Sequence, residues 1–205
     1  MGIYKNYILP KIVDLVCSTK AVMHQRKKVV PLAKGRILEI GIGSGLNFPF
    51  YDSSNVEYVW GLDPSVQMRT MAEKRSVDIE FEVEFIGLSG DEIPLESNSV
   101  NTVLVTYTLC TILDLFHALN EMRRVLIPGG ELIFCEHGLA PDEGVRKWQS
   151  IVNPIWKRMG VGYILNRPIP DLIEQGGFKI NNLETMYVPG WKPASFNYLG
   201  SAVQR

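Results

Sequence analysis

The chain has 205 residues, 46% of them hydrophobic and 21% charged, which suits one folded unit and excludes global disorder. Twenty-one basic against 22 acidic side chains leave a formal charge of -1, so the basic excess that phosphate backbones select is absent and a dedicated nucleic-acid binder is disfavoured. Cys17, Cys110 and Cys135 are odd in number, far apart and free of C-x-x-C spacing, which argues against a zinc site or a disulfide framework and for a reducing compartment.

At the N-terminus, MGIYKN has Asn6 where a myristoylation motif needs Ser or Thr, and no secretory apolar core follows, so the chain reads as unprocessed and cytoplasmic. Lys11 and Asp14 interrupt the first apolar stretch, and no run reaches the roughly 18 residues a spanning helix needs. Within residues 1–34, Tyr4, Tyr7, Ile8, Leu9, Ile12, Val13, Leu15 and Val16 precede the basic Arg26, Lys27 and Lys28. That pattern predicts a helical cap over the core, and it also suits peripheral contact with a membrane surface.

Short β-like runs then alternate with crossover-sized segments at 36–40, 56–62, 80–86, 100–105 and 131–135, the rhythm of a parallel sheet. Leu115, Ala118, Leu119, Met122, Val125 and Leu126 recur at helical spacing, and Pro128-Gly129-Gly130 is expected to stop that helix and turn the chain into the fifth strand. The stretch 138–170, with Trp148, Trp156 and Tyr163, reads as a substrate-side insertion at a strand's carboxyl end. A helix at 171–175 and strands at 178–187 and 195–203 follow, the last two forming an antiparallel edge. The expected fold is a single α/β domain with a Rossmann-like, doubly wound, seven-stranded and mostly parallel sheet.

Leu38-Glu39-Ile40-Gly41-Ile42-Gly43-Ser44-Gly45-Leu46-Asn47 follows the first strand and reads as a cofactor loop opening a helix, where glycines let a ligand approach free amides. The dinucleotide fingerprint G-x-G-x-x-G is not met, because Leu46 occupies its sixth position. Glu39, two residues before Gly41, is ill placed beside a pyrophosphate but suits a ligand carrying an ammonium and a sulfonium, as S-adenosylmethionine does. Asp63 closes the second strand, where a carboxylate can accept from both ribose hydroxyls; Asp63-Pro64-Ser65 also reads as a helix N-cap.

Together LEIGIGSGLN, GLDPSVQM, SGDEIPLESNSVNTVLV and RRVLIPGGEL resemble the sequential motifs of class I S-adenosylmethionine-dependent methyltransferases of the type 11 branch. The resemblance implies that Gly41, Gly43 and Gly45 pack against the methionine part of the cofactor with Glu39 close by, and that Asp63 holds the ribose. It further implies Pro64 and Met68 beside the adenine, Ser89 and Gly90 at its polar edge, and Thr106 and Tyr107 near the reactive sulfur. Ser89 stands where many relatives carry Asp, with Asp91 two positions on, so either contacts adenine. LNFPFY, Thr108-Leu109-Cys110, Cys135-Glu136-His137-Gly138, Trp148-Gln149, Pro154-Ile155-Trp156-Lys157 and Asn166-Arg167 resemble, more loosely, the alkyl-thiol methyltransferase-like proteins of animals and their bacterial relatives. This points to a small, apolar acceptor and suggests a thiol.

Methyl transfer from a sulfonium needs alignment more than a covalent nucleophile. A thiol of pKa near 8.5 is only a few per cent thiolate at pH 7, so a base helps, and His137 and Glu136 after the fifth strand are the candidates. His137 bonding only backbone is the competing reading. Tyr4, Tyr7 and Trp148 are candidates for an apolar lid, Cys110 for packing in the acceptor pocket and Arg167 for holding an acidic group or pairing structurally. The alternatives are an amine methyltransferase acting on lipid head groups, an NAD(P)-dependent oxidoreductase and a non-catalytic module of the same fold. The oxidoreductase needs a Tyr-x-x-x-Lys pair after the fourth strand, whereas the only such spacing, Tyr7 to Lys11, precedes the glycine loop.

Overall fold

Seven strands form one sheet: β1 (Gly35–Ile40), β2 (Val56–Leu62), β3 (Glu82–Ile86), β4 (Val100–Thr106), β5 (Leu126–His137), β6 (Phe178–Tyr187) and β7 (Phe196–Gln204). The computed structural model describes residues 4–90, 92–159 and 163–205. Their spatial order is β3-β2-β1-β4-β5-β7-β6; β1 to β5 are parallel, and β7 is antiparallel to both its neighbours. The strand order reverses between β1 and β4, the place where an open α/β sheet leaves a crevice at its carboxyl edge.

The strands are apolar on both faces because helices cover both. Leu38, Ile40, Val103, Val105, Leu132 and Phe134 join one core with Leu119 and Met122 of α4 (Leu115–Val125) and Ile173 of α6 (Ile169–Gln175). Ile37, Val59, Leu104, Ile133 and Cys135 face the other way, against Val29 of α2 (Lys20–Val29), Val30 and Ala72 of α3 (Val66–Arg75). The period of two along each strand thus sorts every second residue to a different core. Glu39 lies between Leu38 and Ile40 and therefore shares the α2 face with Ile37.

Several expectations are corrected. Residues 41–47 do not open an α-helix: they run through turns into a 3-10 turn at Phe48–Phe50, because Gly41, Gly43 and Gly45 all have positive φ (70°, 56° and 78°) and Pro49 cannot donate. Ser65, not Asp63, caps α3, its hydroxyl accepting from Met68 N at 3.3 Å. Pro128-Gly129-Gly130 lies inside β5, which pairs Leu126 with Val100, slips in register and resumes at Glu131 with Thr102. The third strand begins at Glu82 rather than 80. The 138–170 segment is largely helical: α5 spans Glu143–Met159 with Pro154 inside it.

Two hydrogen bonds tie that segment to the loop after β4. Ile164 N donates to Cys110 O at 3.0 Å, and Arg167 Nη2 donates to Ile112 O at 2.6 Å. At the other end of the chain a short π-helical turn, Tyr4–Ile8, leads into α1 (Leu9–Cys17).

Candidate cofactor and acceptor site

A cavity of about 430 Å³ lies at the carboxyl ends of β1, β2 and β4, within the range of pockets that enclose small ligands. Its floor is made by Gly41, Gly43, Asp63, Pro64, Met68, Ser89, Gly90, Thr106 and Tyr107, all expected from the sequence. Its roof is α1, which presents Leu9, Val13 and Cys17 at intervals of four together with Pro10 and Asp14. Thr108, Thr111, Ile112, Leu113 and Tyr163 line the end beyond β4.

Gly43 and Gly41 have different reasons to be glycine. A Cβ on Gly43 meets nothing closer than Met68 Cε at 3.6 Å, so its left-handed φ and its place in the cavity wall are the requirement. A Cβ on Gly41 would stand 2.2 Å from Thr108 Oγ1, so there the chain itself approaches too closely for a side chain. The amide of Gly43 donates to Asp63 Oδ2 at 3.1 Å, and that of Ser65 donates to Asp63 Oδ1 at 2.8 Å. Each oxygen retains a free lone pair at the cavity wall, the arrangement two vicinal hydroxyls would use. Burial raises the pKa of Asp63 above the usual carboxylate value, opposed by the Ser65 and Gly43 amides.

Glu39, Asn47 and Gly45 do not line the cavity. Glu39 points to the α2 face as the strand alternation requires: Asn47 Nδ2 donates to its Oε1 at 2.8 Å and the Tyr51 hydroxyl to its Oε2 at 2.6 Å. Expected close to the methionine part of a cofactor, Glu39 here accepts from Asn47 and Tyr51, and burial pushes its pKa up to about 7. Gly45 is packed against the Phe48 ring. Asn47 in turn accepts from Arg26 Nη1 at 2.8 Å, and the same Nη1 donates to Thr106 Oγ1 at 2.6 Å. Arg26, read from the sequence only as part of a basic cluster, is a buried cavity-wall residue.

Tyr107 holds a left-handed backbone, φ 54°, rare for an aromatic residue. Its amide donates to Cys135 O at 2.8 Å, its hydroxyl donates to Asn197 Oδ1 at 2.6 Å and its ring stacks on the Arg26 guanidinium at 5.2 Å. Behind it Glu136 is fully buried: Thr108 N and Leu109 N donate to its Oε1 at 2.6 and 3.0 Å, while Oε2 has no partner. Burial lifts its pKa to about 7 against those amides. His137 is likewise outside the cavity lining, its Nδ1 buried without a partner and its pKa lowered to about 4 by desolvation.

The remaining acceptor-side candidates fall outside the cavity wall. Tyr7 and Trp148 are 64% and 61% exposed, and Tyr4 is also exposed. Cys110 is buried behind the lining, its thiol 3.7 Å from Tyr107 O, and Arg167 serves as the tether to Ile112. Asp91 and the side chain of Trp156 lie outside the described residues. Asp14 and Cys17 were read only as a break in the apolar stretch and a free cysteine, although the spacing of four through Leu9, Val13 and Cys17 is a signal for the roof; Tyr163 lies in the stretch expected on the substrate side.

The methyltransferase-domain family matches residues 38–134, and a human thiol S-methyltransferase is 31% identical over 96% of this chain and 83% of its own length. The chain belongs to the S-adenosylmethionine-dependent methyltransferases. A second human thiol S-methyltransferase is 29% identical over 85% of this methyltransferase, and a phosphatidylethanolamine N-methyltransferase of Cereibacter sphaeroides is 30% identical over 54% of it. Among solved folds, a Thermotoga maritima S-adenosylmethionine-dependent methyltransferase superposes with TM-score 0.66 at 21% identity, covering 99% of this chain and 98% of that one. A Haemonchus contortus enzyme solved with S-adenosylhomocysteine gives TM-score 0.70 at 18% identity, covering 99% of this chain and 58% of that one. The cofactor is S-adenosylmethionine, and the Asp63 carboxylate and the glycine-walled floor fit it.

Proposed function

We propose that this methyltransferase carries the methyl group of S-adenosylmethionine to a small apolar thiol. The similarity to thiol S-methyltransferases over nearly the whole chain carries this reading. The largely apolar acceptor end, formed by Ile112, Leu113, Thr111 and Tyr163 under Leu9 and Val13, supports it. When bound, the cofactor supplies an electrophilic methyl group: the acceptor sulfur forms the new C–S bond as the sulfonium C–S bond breaks.

The chain's own residues position and enclose the reactants. Asp63 binds the ribose hydroxyls, Pro64 and Met68 flank the adenine, and Ser89 and Gly90 meet its edge, all from the cavity floor. Glu39 and Asn47 act from behind by fixing Thr106 and Arg26. Residues 1–34 act as the cap and 138–170 as the substrate-side segment, through α1 and Tyr163. Enclosure excludes water, and alignment is the main source of acceleration.

A base with pKa about 4, as at His137, faces roughly 6 kcal/mol in taking a proton from a thiol of pKa near 8.5, whereas Glu136 at about 7 faces roughly 2 kcal/mol. Neither lines the cavity. The acceptor therefore loses its proton to solvent before transfer, and Glu136 positions the 107–109 turn through its two amide contacts.

Tyr7, Ile8, Ile12, Leu15 and Val16 are exposed on the outer side of the cap, and among the described residues no helix is long and apolar enough to cross a membrane. Peripheral membrane contact through this face would deliver apolar acceptors, and failure to co-float with anionic vesicles would remove that part of the reading. The central experiment is radiolabelled methyl transfer to a series of alkyl thiols and to ethanolamine-type amines over pH 6 to 9. Thiol products are expected, with kcat/KM rising towards each thiol's own pKa; transfer to amines alone, or to neither, would overturn the thiol assignment.

A further inference from the structure

We infer that Arg26 holds the α-carboxylate of the cofactor's methionine part. The inference rests on the placement of S-adenosylmethionine in this cavity and adds a residue that neither motif order nor resemblance assigned. Arg26 is 6% exposed, yet it belongs to the cavity wall, and among the described lining residues it is the only basic side chain. Its Nη1 is spent on two neutral acceptors, Asn47 Oδ1 and Thr106 Oγ1, and its Nε is buried without a partner. Among the described residues it joins no ion pair within 4.0 Å. A guanidinium this deeply buried normally has an anion beside it, because desolvating an unpaired cation costs several kcal/mol.

Glu39 and Glu136 feel the Arg26 charge, which lowers the pKa of each against its burial, but neither forms an ion pair with it within 4.0 Å. Glu39 is occupied at both oxygens by Asn47 and Tyr51, and Glu136 spends one oxygen on backbone amides. Burial raises the pKa of each to about 7, so both are partly neutral near pH 7.

Position decides which anion is meant. The nucleoside contacts lie around Asp63, Met68 and Ser89 at the β2 and β3 end of the crevice, so the amino-acid part must extend towards β1 and β4. Arg26 is anchored there, to Asn47 at the end of the glycine loop and Thr106 at the end of β4. The acceptor end lies farther on, at Thr111, Ile112 and Tyr163. Asn47, Thr106 and the Tyr107 ring hold the guanidinium in one orientation, which favours a planar carboxylate.

The test compares the full chain with Arg26→Gln and Arg26→Lys by calorimetric titration of two ligands, alongside thermal unfolding. S-adenosylhomocysteine carries the amino-acid part, and 5′-methylthioadenosine has the same nucleoside thioether without it. Arg26→Gln is expected to weaken the first by roughly 10- to 100-fold and the second by no more than about twofold, with Arg26→Lys between. Equal weakening of both ligands would make Arg26 structural and overturn the inference. Unchanged S-adenosylhomocysteine affinity with a raised thiol KM would assign the guanidinium to the acceptor instead and would also overturn it. If Arg26→Gln does not fold, the ratio of the two affinities in Arg26→Lys decides, an unaltered ratio counting against the carboxylate. Wild-type protein binding neither ligand would refute the placement of the cofactor in this cavity, a failure distinct from the others.

Discussion

Asp14 on α1 and Arg75 on α3 form a two-pronged ion pair across 61 residues of sequence, with Nη1 to Oδ1 at 2.8 Å and Nη2 to Oδ2 at 3.1 Å. The same carboxylate accepts from the Ser44 hydroxyl, and Arg75 Nη1 also donates to Ser44 O at 2.7 Å. The roof helix is thereby fastened to the glycine loop and to the helix after β2. Since Asp14 itself lines the cavity, the fastening holds the roof over it.

Asp14→Asn should loosen that closure. Because the Arg75 side chain is 38% exposed, solvent screening limits the pair to roughly 1 kcal/mol, so a rise of about three- to tenfold in the dissociation rate of S-adenosylhomocysteine is expected. Stopped-flow displacement reads it, and an unchanged rate would show that α1 does not gate the pocket.

Asp63→Asn keeps the size of the side chain but replaces one acceptor oxygen by a donor. Affinity for both S-adenosylhomocysteine and 5′-methylthioadenosine should fall by at least about fivefold, since both carry the ribose. This distinguishes Asp63 from Arg26, whose loss separates the two ligands. Equal affinities in wild type and variant, by calorimetry, would sink the ribose assignment.

Glu136 predicts a pH dependence of stability. Its carboxyl has an ordinary pKa of 4.5 outside the fold and about 7 within it. Below pH 4.5 both states hold the proton; as pH rises from 4.5 to 7 the unfolded chain releases a proton that the native state retains, and stability falls by up to roughly 3 kcal/mol. Glu39 adds a loss of the same sign over the same window. Asp14, whose pKa Arg75 lowers, acts oppositely at lower pH: its contribution is present above its unfolded value and lost as pH falls through the native one. Burial holds His137 near 4, so its contribution is lost as pH falls below 6.5 and opposes the two carboxyls; with two groups against one, the melting temperature should still be higher near pH 5 than at pH 8, and Glu136→Gln should shrink that difference. An identical slope in the variant would exclude Glu136 as its source.

Much of the fold and of the cavity floor was legible because both are local. Strand alternation is a property of consecutive residues, and Gly43, Asp63 and Pro64 follow the ends of β1 and β2, with Met68 in the first turn of α3, where motif order places them against the cavity. Motif order could not say which way Glu39 turns. It lies at the right distance from Gly41, but the period of the strand sends its carboxylate to the α2 face, where Asn47 and Tyr51 take it up.

By itself the sequence determined the sheet, the family and most of the cavity floor, since these follow from short-range patterning and the spacing of motifs. Only the tertiary structure decided the roof and the buried charge at Arg26. Asp14 meets Arg75 and Ser44, and Arg26 meets Asn47 and Thr106, through chain closures of 21 to 80 residues, while Tyr163 is brought to the far end of the same cavity. Such meetings depend on how α1, α2 and the 138–170 segment pack on the sheet, and no local periodicity encodes which side chains those long closures bring together.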